Sequence, residues 1–184
     1  MRKHLENLFL GIIAAFGALI VTVFIAVLFQ IFSHKNDFQA IIQYPVLIIL
    51  AVLVEESFKY VVIRKRIAKQ KTLSAPIVFG FGFALTEIAF LSSSIRILEN
   101  YPFHGLLGAL AIHILTAIVL TYTAKKESQK RYFPFLFGAL LAISIHMAYN
   151  FAVIYEFSRQ VSFLTITTLI IILISSSVTN KNTI

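Results

Sequence analysis

Val54-Glu55-Glu56-Ser57-Phe58-Lys59-Tyr60 lies inside an apolar run from Tyr44 to Ile63. That run has the length and hydropathy of a helix crossing a bilayer. Each carboxylate at bilayer depth costs roughly 2.5–3.5 kcal/mol on insertion scales. Two adjacent glutamates there need a partner or a purpose. On a helix Lys59 is i+4 from Glu55 and i+3 from Glu56, so it reaches either one. Neighbouring residues point about 100° apart, because a helix has 3.6 residues per turn. The two glutamates therefore take different parts: one is held by Lys59 or a neighbouring helix, and the other faces an interior.

The rest of the 184-residue chain agrees with a membrane setting. It is 59% hydrophobic and 13% charged, against about 25% charged in soluble domains. The expected fold is an all-α, polytopic membrane bundle of about six transmembrane helices in one domain over 1–184. The expected helices are 8–32, 39–64, 74–95, 104–124, 133–155 and 161–178. The first run is too long for a signal-peptide core and lacks a small-residue cleavage site, so it is expected in the mature protein. Cysteine is absent, which excludes disulfides, a thiol nucleophile and thiolate metal sites.

The net charge of +8 is distributed as topology, not as a nucleic-acid surface. Two basic residues precede residue 7, five lie in 64–72, four in 125–132 and one in the tail. These twelve fall on one side, against Lys35, Arg96 and Arg159 on the other. The positive-inside rule puts the twelve, and both termini, in the cytoplasm. The basic clusters contact anionic lipid, and no nucleic-acid partner is expected. Lys59 is the only basic residue within a span.

The polar groups share a depth. Counted from the cytoplasmic helix ends at ~1.5 Å per residue, Glu56 lies ~15 Å in, His113 ~17 Å, Glu87 ~18 Å and His146 ~20 Å. Ionisable groups on four helices avoid lipid by converging on a shared interior. His146 and Asn150 are i,i+4 on one face, as are Phe83 and Glu87. Such a set suits hydrolysis of an amide bond. A glutamate takes a proton from water, and an imidazole and an amide NH₂ donate to a tetrahedral oxyanion. Histidine and glutamate also hold zinc, which activates water. Glu87, His113 and His146 are the expected ligands if a metal is used. The sequence leaves both mechanisms open.

Glu55-Glu56-x-x-Lys59, Phe83-x-x-x-Glu87, His113 and His146-x-x-x-Asn150, in order on successive helices, resemble the motif series of the PrsW-type intramembrane proteases. These are related to the CAAX protease and bacteriocin-processing (CPBP, or Abi) family. The resemblance covers roughly residues 45–151. In the wider family the first motif usually ends in Arg one residue later and the second in His. Lys59 and Glu87 take those places here, which favours the PrsW branch. The resemblance implies that a glutamate of the first motif, Glu55 or Glu56, activates water, and it slightly favours Glu55. It implies that His146 and Asn150 bind the oxyanion, and that the substrate is a membrane-anchored protein or peptide. It also implies the cell membrane of a prokaryote.

Other protease classes fit poorly. There is no His-Glu-x-x-His and no Gly-x-Ser-Gly, and Asp37 is the only aspartate. Two rivals stand beside the protease. One is a proton- or cation-coupled transporter using Glu and His as a relay, although no inverted repeat is visible. The other is a non-catalytic membrane adaptor. Plainer readings exist for single residues: an interhelical ion pair for Glu55, Glu56 and Lys59, a snorkelling Lys59, and polar contacts between helices for Glu87, His113, His146 and Asn150.

Overall fold

A computed structural model describes residues 2–33, 45–70, 72–93, 103–127, 133–154 and 158–181. These form six α-helices and no strand: α1 Arg2–Ser33, α2 Pro45–Val62, α3 Ser74–Ser93, α4 Phe103–Glu127, α5 Phe133–Ile154 and α6 Ser158–Lys181. All-α is the class expected. Residues 39–44, expected to open the second helix, lie outside the described residues, as do Lys35, Asp37, Arg96 and the side chain of Arg159.

Two boundaries depart from expectation for physical reasons. α1 begins at Arg2 rather than Leu8. Asn7 is not loop: it is 1% exposed and exchanges paired amide hydrogen bonds with Gln70. Its Nδ2 donates to Gln70 Oε1 at 3.1 Å, and Gln70 Nε2 donates back to Asn7 Oδ1 at 2.8 Å. α2 ends at Val62 and widens into a π-helical turn, Ile63–Ile67, in which Ala68 N–H donates to Ile63 O at 2.8 Å. The wide turn keeps Ile63 and Ile67 fully buried while Arg64, Lys65 and Arg66 all face outward.

Five helices close a ring. α1 packs against α2 and α3, α3 against α4, α4 against α5, and α5 back against α2. α6 lies outside, against α4 and α5. α1 closes the ring with one side and leaves its other side exposed. α1 joins the ring because its inward face is small: Ala14, Ala15, Ala18 and Ala26 are buried. Without side chains in the way, backbones approach closely, the mode by which helices associate in lipid. A Cβ on Gly11 would sit 2.1 Å from the Phe79 carbonyl oxygen, and one on Gly82 would sit 2.3 Å from that of Leu8. The large apolar residues of α1 point the other way; Phe9, Ile13, Ile20 and Phe24 are all exposed.

Two apolar clusters bracket the middle of the ring. One joins Ile63, Ile67, Ala75, Phe79, Leu120, Ala124 and Ala142, near the basic segments. The other joins Ala109, Ile112, Leu115 and Tyr149, flanked by Val161 and Ile172 of α6. Tyr149 Oη donates to Gly105 O at 2.7 Å and fastens α5 to the start of α4. Among the described residues, two helical stretches are long and apolar enough to cross a membrane, Arg2–Ile31 and Gly105–Lys125. Ser74–Phe90, Phe137–Val153 and Gln160–Ile172 are shorter apolar stretches.

The close α1–α3 crossing carries a prediction. Gly11→Val forces backbone apart, and overpacking of this kind costs about 1–3 kcal/mol or more. Thermal unfolding in detergent should show Gly11→Val clearly destabilised, whereas Ile13→Val, on the exposed face of the same helix, should unfold like the parent.

Candidate active site

Each of α2 to α5 sends polar side chains into the ring. α2 contributes Glu55, Glu56 and Lys59, α3 Glu87, α4 His113 and Thr116, and α5 His146. The helical spacing selects them: Glu56 and Lys59 are one turn apart, as are His113 and Thr116. Gly80 of α3 allows this convergence, because a Cβ there would lie 2.8 Å from the His113 carbonyl oxygen.

Lys59 does not snorkel. It is fully buried, and its Nζ donates to Glu56 Oε1 at 2.7 Å and to Thr116 Oγ1 at 3.1 Å. The ammonium also stands 4.6 Å from the centre of the Phe83 ring, a cation–π distance. Thr116 in turn donates to the His113 carbonyl at 3.4 Å. Thr116 escaped sequence reasoning, because it is one of three threonines in an apolar helix and carries no signature of its own. Its only signal was the i+3 spacing from His113.

Both histidines are held by carboxylates. Glu56 Oε1 accepts from His146 Nδ1 at 2.7 Å, and Glu87 Oε2 accepts from His113 Nε2. A carboxylate of this kind only accepts, so it fixes which ring nitrogen carries the proton. In the neutral rings that leaves lone pairs on His146 Nε2 and His113 Nδ1. Neither atom has a hydrogen-bond partner, and both are buried. The same holds for Glu55 Oε2 and Glu56 Oε2. Glu55 Oε2 stands 3.7 Å from His146 Nε2, and the two imidazoles meet edge-on with ring centres 4.9 Å apart.

The two glutamates therefore divide as their helical spacing requires. Glu56 is clamped between Lys59 and His146; Glu55 presents an unpartnered oxygen to the same interior. Glu55, His113 and His146 each offer one donor atom, all within 4.8 Å of one another. Tetrahedral zinc with bonds of about 2.0–2.1 Å places its ligands about 3.3 Å apart. The three donors thus need to draw together modestly. The expected ligand set had Glu87 in the place that Glu55 takes. Glu87 instead bonds the outer nitrogen of His113, the usual place of a carboxylate behind a metal-bound histidine. Asn150 is half-buried one turn beyond His146 and shares none of the cluster's contacts among the described residues.

The buried pair yields a double-mutant prediction. Removing one partner of a buried ion pair costs about 3–5 kcal/mol, because it strands the other charge, whereas replacing both is far milder. Lys59→Met alone should lower unfolding stability sharply, and Glu56→Gln with Lys59→Met should recover much of the loss in the same chemical-denaturation assay. The chain matches no protein-family model, no curated protein and no solved structure, so this site is read from its own geometry.

Proposed function

We propose that this protein is an intramembrane peptidase. In this reading it spans the cell membrane of a prokaryote six times, with both termini cytoplasmic. It hydrolyses a peptide bond of a membrane-associated substrate with water activated inside the helical ring. One observation carries the proposal: Glu55 Oε2, His113 Nδ1 and His146 Nε2 are buried acceptor atoms without partners, and they belong to three residues, on three helices, that each bring a ligand atom within 4.8 Å of the others. Three buried lone pairs without partners need a cation or a water. Packing alone does not explain them. The apolar outward faces of α1, α5 and α6 and the twelve basic residues assigned to one end support the membrane topology.

The tautomers decide between roles for His146. With its Nδ1 proton given to Glu56, a neutral His146 has no proton on Nε2 to donate to an oxyanion. It suits ligation of a metal or acceptance from water. The donor set of two imidazoles and one carboxylate fits zinc, with Glu56 and Glu87 behind the two histidines. When bound, zinc supplies the Lewis acidity that makes water a nucleophile at neutral pH. Glu56 Oε2 is then the acceptor left for the proton of the attacking water. Lys59 keeps Glu56 in place. Asn150 is the amide donor nearest to His146 along α5 and supplies the hydrogen bond to the developing oxyanion.

Metal analysis of the detergent-purified protein tests this directly. Stoichiometric zinc is expected, lost in Glu55→Gln, His113→Ala and His146→Ala. Glu87→Gln should bind about 10–100-fold more weakly, as outer-carboxylate variants do. Cleavage of a membrane-peptide library should stop with chelator. Cleavage that persists without metal would move the proton to Glu55 Oε2 as the general base. Absence of both bound metal and cleavage would overturn the peptidase.

A further inference from the structure

The cluster is not equally enclosed on all sides. Lys59 and Thr116 are fully buried, and Glu56, His113 and His146 are 1–2% exposed. The side chains of Glu55 and Glu87 are 17% and 29% exposed. These two lie on the same side of the cluster along the ring axis. α2 runs toward the basic π turn, so Glu55 stands about 6 Å farther from it than Lys59, at 1.5 Å per residue. α3 runs away from the basic end, so Glu87 lies farther from it than Phe83 by the same rise. Toward the basic end the buried side chains of Ile63, Ile67, Phe79, Leu120 and Ala124 close the ring.

The helix contacts show the same polarity. The π turn packs on α3, but α2 itself has almost no contact with α3 among the described residues. The two helices are thus joined at the basic end and apart beyond it, with α1 behind the gap. α1 carries a further polar atom there. Thr86, Thr121, Thr123, Thr165, Thr167 and Thr168 each donate to a carbonyl one turn back. Thr22 Oγ1 is buried and has no partner. Gly17 meets the Phe58 ring, and Thr22 lies five residues beyond it, away from the basic end. Thr22 thus differs from the other threonines in being a buried hydroxyl left without a partner, which calls for a polar neighbour or a water.

We propose that water and substrate reach the cluster from one end only, through a cleft between α1, α2 and α3 that opens past Glu55, Glu87 and Thr22, opposite the basic segments. The substrate is then a polypeptide whose scissile bond lies in the half of the bilayer away from the basic loops, the outer half. This rests on the membrane-spanning part of the reading above but does not require catalysis, so its test reads access rather than cleavage.

The chain has no cysteine, so single-cysteine variants of the full protein report directly. Thr22→Cys, Glu87→Cys and the neighbouring Ile88→Cys would be reconstituted in vesicles of defined orientation. They would be treated with a charged, membrane-impermeant thiosulfonate from either face. Lys65→Cys calibrates the basic face, and Leu120→Cys reports the closed end. Thiol reactivity follows access, so the expected result is labelling roughly ten-fold or more faster from the face opposite Lys65. Leu120→Cys should stay near background from both faces. Thermal unfolding of each variant identifies any that misfolds, and Ile88→Cys substitutes for Glu87→Cys in that event. Faster labelling from the Lys65 face, equal labelling from both, or none in folded variants would overturn the one-ended cleft. None of these results bears on whether a peptide is cut.

Discussion

A charged lysine buried without water has to find its counter-charge at once, and the rest of the site follows from how Lys59 finds it. The ammonium takes Glu56 one turn back, Thr116 across the ring and the face of Phe83. Glu56, committed to Lys59, still has room on the same oxygen for His146 Nδ1. One ion pair thereby fixes the rotamer of a glutamate, the tautomer of a histidine and the spacing of four helices. Burying such a pair is a poor source of stability compared with a well-packed apolar core. Its value lies in specifying one arrangement.

The second histidine repeats the pattern with a different carboxylate. Glu87 does for His113 what Glu56 does for His146, from another helix. Each imidazole is turned so that its unprotonated nitrogen faces the interior, where Glu55 adds a third acceptor. An interior in which Glu55 Oε2, Glu56 Oε2, His113 Nδ1 and His146 Nε2 all lack a partner among the described residues is electrostatically incomplete. The same low dielectric that strengthens the Lys59–Glu56 pair makes these unfilled acceptors costly, so the cluster is poised for a cation or a polarised water.

Much of this was legible in the chain. Apolar runs of bilayer length gave the helices, and the ionisable residues interrupting them gave the members of the cluster, because both signals are local. The i,i+3 spacing of Glu56 and Lys59 anticipated their bond, and the angular separation of adjacent glutamates anticipated their division of labour. Ligand assignment was less accessible. Whether Glu55 or Glu87 stands beside the free histidine nitrogens depends on helix rotation about its axis, which periodicity constrains only loosely in segments that are apolar all round. Thr116 was silent for a related reason: its importance lies wholly in a contact 57 residues away in sequence. The place of α1 in the ring rests on glycines of α1 and α3 that face each other, a pairing between helices that no local pattern specifies.

The crossing of Gly11 and Gly82 has a mechanical consequence. Where two helices touch backbone to backbone, sliding and separation both meet hard repulsion or lose close contact, and rotation about the contact point is the least resisted displacement. From there the two chains run on in the same direction, past Ile12 and Phe16 on one and Leu85, Ala89 and Phe90 on the other, with a cavity of about 420 Å³ between them. Rotation about the glycines would displace the nearby basic end less than the distant arms. The sequence has thus placed its fulcrum in residues that carry no side chain at all.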